Sequence, residues 1–366
     1  MFTDTHMAST TSASMGRRRL ADDPSLRDII LVDQLPSSAW AEGIIVRLSG
    51  TILTTRIDAG ELYSIIPTDA GLDANAVLKP IHTFPTECVI NICRLASDDR
   101  EEYAVMTAHI DFDTQEYHST AVWRLSFTSS DSGKLTLSKI ANLPEAVFCL
   151  GMEQVADNVV LVIDMAKFCI WQVRLSSGDV TMLFSDDATM RPKSSEDMFG
   201  ANCVRFAGGY LYYTNMSTGA LHRVAAVVRG PDSVEMTGVV ETVVPTGSID
   251  FADGLVMTRD GRTAYVTNYI DGLLQRIDVD PNQGTGIVTT LIDELISPTA
   301  LDLVYRDVED GKPTLYVVCC SPMTQNPLRP VVDAGFDYAG VDEGRTKIEI
   351  IITTEVVVTY EKVELF

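Results

Sequence analysis

The chain has 366 residues, 46% hydrophobic and 22% charged, a balance that excludes wholesale disorder, collagen and coiled coil. Lys and Arg number 28 against 51 Asp and Glu, a net charge of −23. Phosphate backbones and anionic lipid are repelled by such a surface, so neither nucleic acid nor membrane is an expected partner.

In chain order, residues 1–27 are rich in Ser and Thr, carry Arg17, Arg18 and Arg19, and lack the apolar core of a secretory signal. Asp4, Asp22 and Asp23 argue against a mitochondrial presequence. This stretch is expected to be a disordered tail on a cytoplasmic protein. No later run approaches the roughly 18–20 apolar residues of a membrane span.

From residue 28 onward the hydrophobic period is two. YLYYTNM (210–216) and TAYVTNY (263–269) are β-branched and aromatic, with turn signals such as Asp260-Gly261 and Asp271-Gly272 beside them. A longer repeat organises these strands. EGIIVRLSGTILTTRIDAGELYSI (42–65), NCVRFAGGYLYYTNMSTGALHRV (202–224) and DGLVMTRDGRTAYVTNYIDGLLQRID (253–278) each read strand, Gly turn, strand, Gly turn, strand. Further copies begin near 90, 150 and 300, a spacing of about 47 to 60 residues, which suits four-stranded propeller blades. The expectation is an all-β, six-bladed β-propeller of four-stranded antiparallel blades in one domain over 28–366. A strand from one terminus completes a blade begun at the other, and 324–346 forms a long insertion over one face. One turn of helix is expected around 194–198.

The innermost strand of each blade starts at one face of the central channel, which gathers Glu42, Ile90, Leu150, Asn202, Asp253 and Ala300 there. Glu42, Asn202 and Asp253 are oxygen donors suited to a hard cation such as Ca²⁺. Aromatic and apolar residues flank the channel positions: Trp40, Phe148, Phe199 and Phe251 precede them, and Met165, Phe168 and Tyr269 sit in turns expected on the same face. Together with Leu150 they describe a pocket for a large apolar small molecule.

Other chemistry is thin. The seven cysteines form no CxxC pair and read as buried reduced thiols, the vicinal Cys319-Cys320 included. His82, His109, His118 and His222 show no metal-ligand spacing and read as surface or loop residues. GxSxG, HExxH and Gly-rich phosphate loops are absent.

Glu42-Gly43, Asn202 before an apolar strand and Asp253-Gly254-Leu255, in this order and phase, resemble the SMP-30/gluconolactonase/LRE-like family of six-bladed propellers. The resemblance implies that Glu42, Asn202 and Asp253 are metal ligands and Asp253 the catalytic base of a Ca²⁺-dependent lactonase. The chain departs from the family where Ile44 replaces a Pro, Cys203 a Gly and Leu150 an Asn. Leu150 can neither ligate a cation nor hydrogen-bond a sugar hydroxyl. The propellers of this kind in fungal secondary metabolism include hetero-Diels–Alderases of tropolonic sesquiterpene biosynthesis, which join an o-quinone methide to a humulene-type macrocycle. Two readings therefore stand: a metal-free pericyclase using Glu42, Asn202 and Asp253 as polar groups, which is preferred, and the Ca²⁺-dependent lactonase. A non-catalytic binding propeller is the third.

Overall fold

The computed structural model describes residues 29–352 apart from 35–38, 68–76, 85–86, 97–100, 112–113, 128–134, 196, 198, 294, 306–312 and 321–346. The tail expected over 1–27 and the insertion expected over 324–346 lie outside the described residues.

Strand β1 (Ile29–Gln34) belongs to the last blade. Blade one comprises β2 (Ala41–Val46), β3 (Ile52–Arg56), β4 (Glu61–Ile66) and β5 (Val77–Thr83). Blade two comprises β6 (Cys88–Leu95), β7 (Glu101–Asp111), β8 (Glu116–Phe127) and β9 (Leu135–Asn142). Blade three comprises β10 (Cys149–Ala156), β11 (Val159–Asp164), β12 (Cys169–Arg174) and β13 (Val180–Ser185). After the short helix α1 (Asp187–Met190), blade four comprises β14 (Ala201–Ala207), β15 (Tyr210–Asn215) and β16 (Ala220–Val228). Its outer edge is split between β17 (Val234–Met236) and β18 (Glu241–Val244), both paired with β16. Blade five comprises β19 (Ala252–Met257), β20 (Thr263–Asn268), β21 (Leu273–Asp280) and β22 (Thr285–Ile292). Blade six comprises β23 (Pro298–Tyr305), β24 (Pro313–Cys319) and β25 (Lys347–Ile352), with β1 on its outside.

The β-propeller of four-stranded blades is thus formed, and both chain ends close the last blade. Three details differ from the sequence expectation, the first being the five strands of blade four. Strand β25 runs parallel to both β24 and β1, so blade six is mixed and not wholly antiparallel. The helical turn lies at Asp187–Met190, ahead of 194–198.

Strand composition follows position in the ring. The second strand of a blade is covered by neighbours on both faces, and β11 (VVLVID) is buried at all six residues. The outermost strands are half solvated, so β13 and β9 mix exposed and half-buried positions. The core is likewise divided. Six apolar clusters fill the six seams between adjacent blades; one joins Ala41, Ile44 and Tyr63 of blade one to Ala300, Tyr316 and Val318 of blade six and closes the circle.

At the innermost strands the blades approach within backbone contact. A Cβ on Gly43 would lie 3.1 Å from Asn91 Cα of the next blade. On Gly151 it would lie 2.9 Å from Cys203 Cα, and on Gly254 2.9 Å from Ala300 Cα. The Gly of the Glu-Gly, Leu-Gly and Asp-Gly pairs is therefore required by ring closure, whatever the preceding residue does chemically.

Candidate functional site

Each innermost strand breaks register with its neighbour near its start. The shifts fall between Ala41 and Gly43, Val89 and Asn91, Cys149 and Met152, Ala201 and Val204, Ala252 and Leu255, and Pro298 and Ala300. Such bulges re-aim a side chain and recur beside functional sites. They bring Glu42, Leu150, Asn202 and Asp253 to one cavity on the axis, with Asn91 and Thr299. In one blade the sequence phase is off by one. Thr299, not Ala300, is the unpaired residue of blade six, and its hydroxyl donates to Ala41 O at 2.7 Å, across the seam to blade one. In blade two Ile90 is the unpaired residue, in the phase the repeat gave it, but its side chain is buried in the seam with blade three, and Asn91, one place on, lines the channel.

Glu42 and Asp253 are both buried. Trp40 Nε1 donates to Glu42 Oε2 at 2.7 Å, and Asn202 Nδ2 donates to Asp253 Oδ1 at 3.2 Å and to Met216 Sδ at 3.8 Å. Burial pushes the Glu42 carboxyl up to about 7, against the pull of the Trp40 hydrogen bond. Burial, then the Glu42 charge, holds Asp253 well above the usual carboxylate range, opposed by Asn202. Two carboxyls in one dry site cannot both ionise cheaply, so the pair retains a proton near neutral pH. Tyr269 and Cys320 stand beside them and hydrogen-bond each other; burial raises both, reinforced at Tyr269 by Cys320 and then by the Glu42 and Asp253 charges, and at Cys320 by the Glu42 and Asp253 charges.

The opposite side of the mouth is apolar. Phe148, Leu150 and Met165 are buried in one cluster with Ile90, and Trp40, Tyr117, Phe199 and Met216 pack against it. The Phe148 ring lies 4.9 Å from Tyr117 and 5.0 Å from Phe199. Asp164, fully buried at the end of β11, fixes this wall. It accepts hydrogen bonds from Val147 N (2.8 Å), Phe148 N (3.1 Å), Ala166 N (3.3 Å), Lys167 N (3.0 Å) and Trp171 Nε1 (3.2 Å). Two expected rim residues sit apart from the cluster. Phe168 packs in the seam of blades three and four with Arg191 over its ring, and Phe251 is 42% exposed.

The axial cavity at the carboxyl pair holds only about 20 Å³, room for about one water. At the other end of the channel lies a chamber of about 280 Å³, lined by Arg94, Glu153, Arg205 and Asp302 among others. Burial pushes Glu153 up to about 7 there, against the attraction of Arg205. No motif in the sequence pointed to that chamber.

Ca²⁺ takes six to eight oxygen ligands. Glu42, Asp253 and the amides of Asn202 and Asn91 are the side-chain oxygen donors around the axial cavity. Leu150 contributes none, and the Thr299 hydroxyl is turned to backbone. Trp40 and Asn202 aim N–H donors at the two carboxyls, which favours their ionised forms and partly offsets the effect of burial.

One histidine corrects the sequence reading. His222 is buried against Tyr213 and Thr242, and burial lowers it to about 4, so it is neutral. His109 and His118 face each other across β7 and β8.

No family model matches this chain, and no curated protein matches it. Solved structures of similar chain path include regucalcin from Agrobacterium tumefaciens, described as a calcium-binding protein, at 17% identity, 75% of this chain, 83% of that chain and a TM-score of 0.48. Virginiamycin B lyase from Staphylococcus aureus is similar at 13% identity, 75% and 83% coverage and a TM-score of 0.43. An auxiliary nutrient binding protein from Bacteroides thetaiotaomicron is similar at 12% identity, 77% and 67% coverage and a TM-score of 0.49. Among the described residues no helix is long and apolar enough to cross a membrane.

Proposed function

We propose that the Glu42 face binds a large apolar molecule bearing a carbonyl, and that the protein is a pericyclase of the hetero-Diels–Alder type acting on an o-quinone methide and an alkene. The observation that carries this reading is a carboxyl pair holding a proton beside an apolar wall: Glu42 and Asp253 on one side, Phe148, Leu150, Phe199 and Tyr117 on the other. The wall holds the hydrocarbon partner. The shared proton is donated in a hydrogen bond to the carbonyl oxygen, where negative charge grows in the transition state, and Asn202 steadies Asp253. Alignment of two partners lowers the barrier by up to about 7–11 kcal/mol, and one well-placed donor in a dry site adds about 3 kcal/mol.

A Ca²⁺-dependent lactonase is the second reading. It is favoured by the convergence of two carboxyls whose mutual repulsion a cation would relieve. Single-turnover rates of the wild type and Asp253→Asn, with and without chelator, separate the two. The cycloaddition predicts a slowed but active variant, since Asn still donates a hydrogen bond, and no effect of chelation. Loss of activity in both the variant and the chelated wild type, with stoichiometric calcium in the untreated protein, would replace it with the lactonase.

A further inference from the structure

The β7–β8 hairpin outruns its own blade. β6 pairs with β7 only as far as Ala108, and beyond it His109–Asp111 and Glu116–His118 pair with each other alone. Register sorts this tip into two faces. Ile110 opposite Tyr117 packs down onto the apolar wall at the channel mouth. On the other face His109 lies opposite His118 and Asp111 opposite Glu116.

We propose that this second face is a transition-metal site, in which His109, Glu116 and His118 ligate a borderline divalent cation of the Zn²⁺ class. One ligand atom from each of the three lies within 4.8 Å of the others. The imidazoles are stacked, 4.4 Å apart and inclined by 14°, so the two rings are close enough that a turn of each about its Cβ–Cγ bond aims one nitrogen of each at a shared cation. His118 Nδ1 is 2.8 Å from Ser119 Oγ, a contact that orients the ring and leaves Nε2 for the metal. Two nitrogens and one carboxylate oxygen suit Zn²⁺, Ni²⁺ or Cu²⁺ better than Ca²⁺ or Mg²⁺, and leave a position for water. The ion would bridge both strands of the hairpin directly behind Tyr117, whose ring rests 4.9 Å from Phe148, and so clasp one wall of the mouth. This site is independent of the chemistry assigned to Glu42 and Asp253.

The test is calorimetric titration of the chelator-stripped full chain with Zn²⁺, with amide hydrogen exchange of residues 109–118 measured with and without the ion. One equivalent is expected to bind and to slow exchange across the hairpin. His109→Ala and His118→Ala each weaken binding by more than about 100-fold and Glu116→Gln by about 10-fold, with circular dichroism unchanged. The Glu42→Gln/Asp253→Asn double variant keeps wild-type Zn²⁺ affinity. Equal Zn²⁺ binding by the wild type and both His variants, absence of binding by the wild type, or loss confined to the double variant would each overturn the proposal.

Discussion

The indole of Trp40 donates a 2.7 Å hydrogen bond to Glu42, two residues along the chain, and is the donor that limits how far burial raises that carboxyl. The i, i+2 spacing puts both side chains on the same side of the extended chain entering β2. Trp40→Phe keeps the apolar surface and removes the donor. A hydrogen bond to a charged group contributes about 1.5–3 kcal/mol, and one pH unit corresponds to about 1.4 kcal/mol. The Glu42 midpoint is therefore expected to move up by about one unit or more. The pH profile of turnover or of ligand binding checks this, and an unmoved midpoint would mean that the indole does not tune Glu42.

Stability should depend on pH through the same group. Glu42 titrates at about 7 in the folded chain against 4.5 when unperturbed, so the native state binds its proton more tightly than the unfolded state. The contribution is fully present below about pH 4.5 and is lost as pH rises through about 7, to a limit of about 3 kcal/mol. Glu153 has the same sign and window. Denaturant unfolding between pH 4 and 8 should show a smaller fall for Glu42→Gln than for the wild type; parallel curves would contradict the assignment.

Leu150 stands at the channel position where an amide would add a ligand. Leu150→Asn is expected to raise divalent-cation affinity and to weaken binding of an apolar ligand at the mouth, because it adds an oxygen donor and removes apolar wall. Equilibrium titrations of both ligands against the variant measure the two effects. No change in either would remove Leu150 from the site.

Asp164 ties the loop that carries Phe148. Asp164→Ala would leave up to five N–H donors without their partner, at about 1–3 kcal/mol for each that stays buried and unpaired. A stability loss of several kcal/mol in urea unfolding is expected. Asp164→Asn, which keeps one acceptor oxygen, should lose distinctly less. Equal stability of Asp164→Ala and the wild type would show that the loop holds without it.

Gly254 tests ring closure. An added Cβ would sit 2.7 Å from Thr299 O and 2.9 Å from Ala300 Cα, both backbone atoms of the next blade. Gly254→Ala is expected to cost about 1–3 kcal/mol through overpacking. Thermal unfolding of this variant beside Gly247→Ala, at a positive-φ glycine with nothing within 4 Å, separates contact from backbone strain.

The repeat, the strands and the closing of the last blade by both termini were legible in the sequence, because period-two burial and Asp-Gly or Gly-Gly turns are local properties written every few residues. The order Glu42, Asn202, Asp253 and the hydrocarbon at Leu150 followed from the same phase, and the structure brings these four to one cavity. What lay beyond reach were facts of register and of contacts between distant segments. A bulge moves a side chain by one position without changing the residue pattern, so in blade six Thr299 took the place the repeat gave to Ala300. Cys320 reaches Tyr269 from another blade, and Tyr117 reaches Phe148 because β7 and β8 outrun their blade. His109 and His118 are nine places apart along the chain, a spacing without meaning until the hairpin register sets one ring on the other. The charged chamber of Arg94, Glu153, Arg205 and Asp302 was assembled from four blades, each giving one of the four to an axis that only the closed ring defines.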